Sequence, residues 1–428
     1  MNQSGLLRVA ALIDLPRTPH SGGHVKCWER LAASTAKGDL PLDLTVYFSG
    51  VGPDENLGPR TQLRHLPPVF STANLKFLPY VPDHTDLAPY HPRLARELGN
   101  YDLIHTTDGF FAFARTAARV SRARGIPLVN SFHTDTPSYA RIFTRQTIEK
   151  IFSEKIGLGW LRRQMIENWH LPERQQRVME RRLDIHLHHC RAALVTRPED
   201  QLWAENILGP SRVHHMRRGV DKDVFGPHRR DHEGVERDYN IPLGRIVVLF
   251  VGRVDIGKNI YTLLSAMEKL VADGHPLHLI VAGVGPAVED VKNRLGANVT
   301  APGFIEPDEL ARLYASVDVL AVPSEVEVHS MVGGEALASG CPTIIAGKSG
   351  VAQLFNTSAM WIVASGVPAW VEALAGFAVD PNKRQAMRAA ALEYRRDHLA
   401  SWRDVMAEDI FSVWQDIAGR PAQQREAA

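Results

Sequence analysis

Short apolar runs alternate with amphipathic stretches of helical period along most of the chain. The apolar runs have the length and composition of buried strands and cover residues 6–15, 43–50, 101–105, 127–132, 192–196, 245–251, 277–282, 298–304, 317–322 and 342–346. Apolar residues at helical spacing predict helices over 25–36, 111–124, 198–208, 308–315 and 402–417, a helix that starts at Ile260 and a short helix over 335–339. Strands that alternate with helices in this way predict parallel sheets of the α/β class.

Polar and glycine-containing loops follow several of these strands. The loop of residues 16–23 ends in Gly22 and Gly23, and His133 comes directly after the strand at 127–132. In open α/β sheets, ligands bind outside the carboxyl ends of the strands. These loops are therefore candidate binding sites, although paired glycines also make ordinary turns.

Length and composition narrow the class of protein. With 428 residues, 44% of them hydrophobic and 23% charged, the chain predicts a soluble protein of two domains. The net charge of +1 gives no overall field that would attract nucleic acid. Three isolated cysteines predict neither a disulfide framework nor a zinc site, and they favour a reducing cytoplasm. We expect no signal peptide and no spanning helix, so that any membrane contact is peripheral.

The segment 323–342 carries the most specific pattern of the chain. Pro323 and Ser324 end a strand, and Glu327 is followed eight residues later by Glu335 and the phrase Ala-x-Ala-x-Gly-x-Pro. This pattern resembles the paired-glutamate signature of family 4 glycosyltransferases, which are retaining enzymes of the GT-B fold. The resemblance implies that Glu335, expected in the first turn of a helix, holds the ribose of a nucleotide sugar, and that Glu327 lies beside the donor sugar. Complementing a helix dipole would explain Glu335 alone but not the phrase around it.

A second phrase, Gly252-Arg253 followed by Lys258, resembles the diphosphate clamp of the same family, with Asn259 where glycine is common. Breaking the bond to a nucleoside diphosphate leaves negative charge on the phosphate, and two fixed cations can stabilise that charge without a metal ion. The alternative is a solvated pair of cations at a helix start. Like charges there oppose the helix dipole unless an anion joins them, so the clamp interpretation is favoured.

The same resemblance supplies the donor-binding candidates, which are Gly22, Gly23, Gly252, Ile305, His329, Ser330, Met331 and Glu335. In the family, the loop equivalent to the one with Gly22 closes over the donor phosphates or the acceptor, and the loop with Ile305 reads the nucleobase through its backbone. His329 and Ser330 replace a common Phe-Gly pair, which leaves the donor sugar open. The donor is expected to be UDP- or GDP-linked, with no metal and no other cofactor.

The resemblance also implies an architecture of two Rossmann-like, doubly wound domains that face a central cleft. Residues 1–212 form the acceptor-side domain, and a helix within 398–417 packs back on it. Residues 213–397 form the nucleotide-sugar-binding domain, and 420–428 is expected to be a disordered tail. The formal D-x-D sequence at Asp221 falls in the linker between the domains, so we do not interpret it as a metal site.

The acceptor is predicted from two features of the first domain. The phrase from Ser131 to Tyr139 resembles the acceptor-side loop of relatives that glycosylate lipids, which places His133 in the site as a catalytic group that donates hydrogen bonds and stabilises charge. Residues 141–191 contain eleven Arg or Lys and six Asp or Glu side chains, a net charge of +5, with interleaved aromatic residues that include Trp160 and Trp169. Such a segment suits an anionic membrane surface, or equally a solvated helix face packed on a core.

The expected function is thus transfer of a sugar to a membrane lipid or lipid-linked glycan at the cytoplasmic leaflet. A soluble acceptor, a non-catalytic sugar-nucleotide-binding scaffold and a nucleotide-sugar epimerase of related fold are the alternatives. The histidines at 186, 188 and 189 lack the companion ligands of a metal site.

Overall fold

A computed structural model describes residues 5–18, 21–74, 85–152, 159–325, 331–349 and 357–419, together with residues 352 and 355. The chain divides into two compact units. The first unit comprises the chain up to Arg217 and the C-terminal part from Arg403 onward, and the second runs from Arg218 to Trp402. Residues 420–428, the expected disordered tail, lie outside the described residues.

The first unit is built on an eight-stranded sheet. Its strands are β1 (Leu7–Pro16), β2 (Leu42–Ser49), β3 (Glu55–Gly58), β4 (Thr61–Leu66), β5 (Leu103–Thr106), β6 (Leu128–Ser131), β7 (Ala192–Val195) and β8 (Val213–His215). Their order is β3-β4-β2-β1-β5-β6-β7-β8, and all neighbours are parallel except β3 and β4. Every residue of β5, β6 and β7 is buried, as expected for strands covered on both faces. The boundary expected after residue 212 placed residues 213–215 in the second domain. In the structure they belong to the first unit, because β8 pairs with β7.

Helices of the first unit connect these strands and cover the sheet. They are α1 (Gly23–Ser34), α2 (Pro92–Leu98), α3 (Ala112–Arg124), α4 (Thr136–Ile151), α5 (Gly159–Arg163), α6 (Leu171–Leu187) and α7 (Pro198–Leu208). Trp28 of α1 and Phe113 of α3 are fully buried. The amphipathic spacing seen in the sequence therefore places large side chains against the sheet.

The second unit contains a six-stranded, fully parallel sheet of order β12-β11-β10-β13-β14-β15 and a separate parallel pair of β9 with β16. The strands are β9 (Gly219–Val220), β10 (Ile246–Val251), β11 (Leu277–Ala282), β12 (Val299–Gly303), β13 (Val319–Val322), β14 (Thr343–Ala346), β15 (Met360–Val363) and β16 (Ala400–Ser401). The helices are α8 (His232–Asp238), α9 (Ile260–Ala272), α10 (Val288–Leu295), α11 (Pro307–Ser316), α12 (Met331–Ala338), α13 (Val367–Val379) and α14 (Pro381–Asp397).

Two apolar clusters line the two faces of the sheet in the second unit. Val247 and Leu249 belong to one cluster, and Val248 and Phe250 belong to the other. This alternation along β10 follows from the two-residue period of a strand. The unit is therefore doubly wound, as the family resemblance implied.

The C-terminal part of the chain differs from the single helix predicted over 402–417. Its first turn, α15 (Trp402–Asp404), passes into a π-helical segment, Val405–Phe411, and then into α16 (Ser412–Gly419). The wider π turn aligns residues five apart, and the buried Val405, Met406, Ile410 and Phe411 form two such pairs. Packing of these side chains gives a physical reason for the interruption.

In each sheet, the strands that directly follow the central strand in the chain lie on one side of it, and later strands lie on its other side. This switch falls between β1 and β5 in the first unit and between β10 and β13 in the second. Ligands of open α/β sheets bind outside the strand ends at such a point. The loops after these four strands are consequently the expected ligand-binding positions of the two units.

Candidate active site

The loops after β10 and β13 lie side by side in the second unit. The two strands are parallel neighbours, with Val248 opposite Val319, so their carboxyl ends meet at one edge of the sheet. Asn259 Nδ2 in the first loop donates a hydrogen bond of 3.1 Å to the carbonyl oxygen of Pro323 in the second. The two motifs that the sequence singled out separately are thus joined in the structure.

The clamp loop is held by its own backbone and by one aspartate. Asp255 caps the short turn Ile256–Lys258, because its Oδ1 accepts a 3.0 Å hydrogen bond from the backbone N–H of Lys258. Asn259 follows with a left-handed backbone, φ 55°, which asparagine and glycine tolerate better than other residues. Asparagine is therefore compatible with the backbone conformation at this position.

The electrostatics of the clamp loop favour an anion. Lys258 is partly buried, and this burial, followed by the nearby charge of Arg253, lowers its pKa to about 8, while Asp255 acts in the opposite direction. The guanidinium Nε of Arg253 lies 3.7 Å from Asp255 Oδ2. Each of two neighbouring cations makes the charged state of the other less favourable. A negative group that binds between or beside them stabilises both charged states.

Glu335 is buried in α12, and its position corrects the sequence interpretation. The described helix starts at Met331, so Glu335 is the fifth residue and not part of the first turn. A Cβ at Gly334 would lie 2.9 Å from Val220 Cγ2, so the glycine permits close packing inside a helix where the sequence had indicated a loop. Only 4% of Glu335 is exposed, and Tyr314 Oη donates a 3.4 Å hydrogen bond to its Oε2. A first-turn dipole effect therefore does not account for this carboxylate.

The remaining donor-side candidates lie partly within and partly outside the described residues. Glu327, His329 and Ser330 lie outside the described residues. Met331 is the first described residue of α12 and is partly buried. Ile305 follows β12 and its side chain packs against the apolar cluster of the sheet, so a contact between this position and a nucleobase would involve the backbone.

In the first unit, Gly22 and Gly23 open α1 directly after the β1 loop. Gly22 is the residue before the helix and Gly23 is its first residue. An added Cβ at Gly22 would meet no atom within 4 Å. Gly22 thus leaves open space at a helix N-terminus, where backbone N–H groups can bind an anion.

His133 lies two residues beyond β6 in an aromatic, hydrogen-bonded pocket of the first unit. It is 3% exposed, and its ring stacks on that of His24 with centroids 4.6 Å apart. Trp28 Nε1 donates a 3.1 Å hydrogen bond to His133 Nε2, and Ser131 Oγ lies 2.7 Å from the same nitrogen. His24 and Trp28 were not predicted, although their spacing of four residues on one helix could have indicated a shared face.

The comparisons with known proteins find a family match within the second unit. The sequence model of the family "Glycosyl transferases group 1" matches residues 231–394, which lie within that unit. Over these residues the second unit is similar to group 1 glycosyltransferases. Its described part contains both residues of the clamp and Glu335.

Relatives extend the similarity beyond this family match. The chain is 28% identical over 267 residues to sulfoquinovosyl transferase SQD2 of Arabidopsis thaliana, covering 61% of the chain and 46% of that protein. It is 27% identical over 326 residues to D-inositol 3-phosphate glycosyltransferase 1 of Catenulispora acidiphila, covering 72% of the chain and 71% of that protein. The chain therefore spans less than half of the first relative's length. These named glycosyltransferases support an enzyme of the transferase class.

Solved structures show the fold of the whole chain. Anabaena HepE, whose structure is a complex with UDP-glucose, matches 97% of this chain and 100% of its own, with a TM-score of 0.66 and 13% identity. Its fold and that of other neighbours is the GT-B fold. The predicted fold class, an α/β protein with two Rossmann-like units, is confirmed.

Two other features of the sequence, the D-x-D phrase at Asp221 and the histidine at 186, form hydrogen bonds within the protein. Asp221 Oδ1 accepts hydrogen bonds from the backbone N–H groups of Asp223 and Val224, as in a simple turn. The buried His186 forms a 2.9 Å hydrogen bond to Thr106 Oγ1, and burial lowers its pKa to about 4. Within the described ranges, no group of three His, Cys, Asp or Glu side chains is arranged to hold a metal ion.

The basic segment of residues 141–191 contains α4, α5 and α6 and exposes aromatic side chains. Trp160 is 62% exposed and Trp169 is 47% exposed. Arg174, Val178, Arg181 and Ile185, which follow helical spacing on α6, are exposed as well. None of the described helices is both long and apolar enough to cross a bilayer.

Proposed function

We propose that this chain is a retaining glycosyltransferase of the family 4 type that uses a UDP- or GDP-linked sugar and requires no metal ion. The observation that carries the proposal is the partly buried Lys258 beside Arg253 at the switch point of the second unit. The family match covers this part of the chain. The UDP-glucose complex of a neighbour with the same fold also supports a nucleotide-sugar donor.

The proposed mechanism assigns a separate task to each charged group. Arg253 offers a planar fork to two phosphate oxygens and Lys258 a compact charge to the oxygen that departs from the sugar. The C–O bond between the sugar and the β-phosphate breaks, and the acceptor oxygen forms its bond on the same face of the sugar. The departing phosphate takes the acceptor proton, so the balance requires no further base. Glu335 would hold the ribose, and Glu327 would lie beside the sugar.

A membrane lipid or a lipid-linked glycan at the cytoplasmic leaflet is the acceptor that we propose. Exposed tryptophans interleaved with Arg163, Arg181 and Arg182 support binding to an anionic surface. The protein would then be cytoplasmic and peripheral to the membrane. A soluble acceptor is the second candidate, because one relative is named for D-inositol 3-phosphate.

A donor panel tests the reaction. Purified protein is incubated with UDP- and GDP-sugars in the presence and absence of a membrane extract, with EDTA throughout, and nucleotide release and labelled product are followed. Product with retained anomeric configuration in EDTA supports the proposal. Nucleotide binding without turnover on any donor and acceptor favours a scaffold, and interconversion of the donor sugar without an acceptor favours an epimerase.

Liposome flotation tests the acceptor side. Recovery with vesicles is expected to rise with anionic lipid and to fall with salt, because each basic side chain near such a surface is worth about 1 kcal/mol. Recovery with anionic vesicles should be abolished when Arg162, Arg163, Arg181 and Arg182 are replaced by Glu. The matched control replaces Lys37, Arg60, Arg93 and Arg96, which are exposed elsewhere on the same unit, and changes the total charge equally. Equal loss in both variants would contradict a localised membrane surface and favour the soluble acceptor.

A further inference from the structure

A buried hydrogen-bond network connects α16 with His133 inside the first unit. Trp414 Nε1 donates a 3.0 Å hydrogen bond to His105 Nδ1. His105 Nε2 lies 2.8 Å from Ser131 Oγ, which lies 2.7 Å from His133 Nε2. The four side chains are at most 3% exposed, so water does not compete for these bonds.

The donors and acceptors in this hydrogen-bond network can be assigned starting from Trp414. An indole N–H only donates, so His105 Nδ1 must accept and carries no proton. Burial lowers the pKa of His105 to about 3, so the ring is neutral at physiological pH and its proton is on Nε2. That N–H donates to Ser131 Oγ, which leaves the hydroxyl proton of Ser131 to be donated to His133 Nε2.

A second donor reaches the same nitrogen from α1. Trp28 Nε1 donates to His133 Nε2 at 3.1 Å, and this indole cannot accept a hydrogen bond in return. Two separate elements, α1 and β6, therefore require that His133 Nε2 is unprotonated. In a neutral imidazole the proton is then on Nδ1.

We propose that Trp28, Ser131, His105 and Trp414 are positioning residues that hold His133 as the neutral Nδ1–H tautomer, which donates a hydrogen bond from Nδ1 to a hydroxyl oxygen of the substrate. This inference rests on the proposed function, because it assumes that His133 contacts a substrate. It changes the expected role of His133 from a charge-stabilising group to a neutral donor. The stacked His24 fixes the plane of the ring.

The neutral form follows from the surroundings of the ring. A proton added to Nε2 would face the N–H of Trp28 and the hydroxyl of Ser131, and neither hydrogen bond would survive in its present direction. Two other ionisable side chains lie near the ring within the described residues: His24 of α1 stacks on it, and His105 of β5 reaches it through Ser131.

Nitrogen NMR of 15N-histidine-labelled protein tests the tautomer directly. The His133 signals are identified by their loss in His133→Gln, and Nδ1 and Nε2 have clearly different shifts when only one carries a proton. We expect a protonated Nδ1 and an unprotonated Nε2 at pH 6 to 8. An Nε2–H tautomer or an imidazolium at pH 7 would overturn the proposal, and so would unaltered signals in both Trp28→Phe and Ser131→Ala.

Activity gives a second readout that separates positioning from folding. Ser131→Ala and Trp414→Phe should lower kcat about 3- to 10-fold and introduce a His133 titration into the pH profile, with donor KM unchanged. Ser131→Thr, which keeps a hydroxyl, should restore kcat. Trp203→Phe removes another indole hydrogen bond of the same unit, the one to Asp184, and should change neither readout. If the expected tautomer is found but no transfer occurs, the proposed function fails and the assignment of the proton stands.

Discussion

The two units hold their candidate functional residues in contrasting ways. In the second unit, Arg253, Asp255, Lys258 and Asn259 belong to one loop, and an ion pair and hydrogen bonds link them to each other, to Thr262 at the start of α9 and to the adjacent loop after β13. In the first unit, His133 is held by side chains from α1, β5, β6 and α16, which are far apart along the chain. The donor-side residues are positioned locally and the acceptor-side residue by tertiary packing.

This difference matches a difference in chemistry. A diphosphate carries charge, and a pair of cations whose ionisation is already unfavourable gains most from its arrival. A hydroxyl carries no charge, and a neutral donor in a fixed tautomer orients it through hydrogen-bond direction. We therefore expect the second unit to respond to changes in charge and the first to changes in hydrogen-bond donors.

Removal of one clamp cation should have the largest effect. Arg253→Ala or Lys258→Ala is expected to lower turnover by two or more orders of magnitude, on the order of 3 kcal/mol, because one group that stabilises developing charge is lost. Steady-state kinetics with the preferred donor measure this. Lys269→Ala on α9, an exposed cation of the same unit, is the control, and near-native rates in both clamp variants would show that the charges are not used.

Glu335→Ala should have the next largest effect, on donor binding and not on turnover. The donor KM is expected to rise about 10- to 100-fold with kcat little changed, because charge does not develop at the ribose in the transition state. Tyr314→Phe, which removes only the hydroxyl that donates to Glu335, should change KM less. A fall in kcat at unchanged KM would place Glu335 at the reacting centre.

The contrast between the units also explains what the sequence could predict. The clamp and the two parallel sheets follow from local patterns, because a strand, a capped turn and a helix each depend on residues close in the chain. Asp255 had a detectable signal, a capping residue three positions before Lys258. The partners of His133 had none, because no pattern in one sequence indicates that Trp414 packs on His105.

The position of Glu335 was misread for a related reason. Gly333 and Gly334 are poor helix formers, so a local pattern places them in a loop. In the structure both are buried in α12, where the lack of a side chain at Gly334 allows close approach to Val220. Packing between elements outweighed local propensity here, as it does for the π-helical segment near the C-terminus.

A pH titration of nucleotide binding should give a moderate effect restricted to the second unit. Lowering the Lys258 pKa to about 8 means that the cation is present below pH 8 and is lost above it. The affinity for UDP or GDP should then fall up to about tenfold per pH unit above pH 8, as binding must take up a proton. Calorimetry from pH 6.5 to 9.5 measures this.

Lys258→Arg is the matched variant for this titration. Its guanidinium stays charged across the range, so its affinity should stay nearly constant with pH. A wild-type affinity that is equally constant would mean that Lys258 either keeps its proton throughout or does not contact the diphosphate. The Ala variant of the same residue distinguishes these two cases.

The smallest effect is expected at Asn259, where the local character of the donor loop can be tested most finely. Asn259→Ala keeps the helix start but places an ordinary side chain in a left-handed backbone, which costs about 1–2 kcal/mol. Asn259→Gly removes the side-chain hydrogen bonds with Pro323 and Thr262 but relieves the backbone entirely. If backbone conformation holds the loop, the Gly variant should bind nucleotide within about threefold of wild type, whereas the Ala variant should bind more weakly and unfold at lower denaturant. If instead both variants lose affinity equally, the side chain of Asn259 positions Lys258 through its hydrogen bonds with Pro323 and Thr262. Thr262→Val, which removes only the second bond, then shows whether the donor loop depends on the tertiary contact with the loop after β13, as His133 depends on its partners.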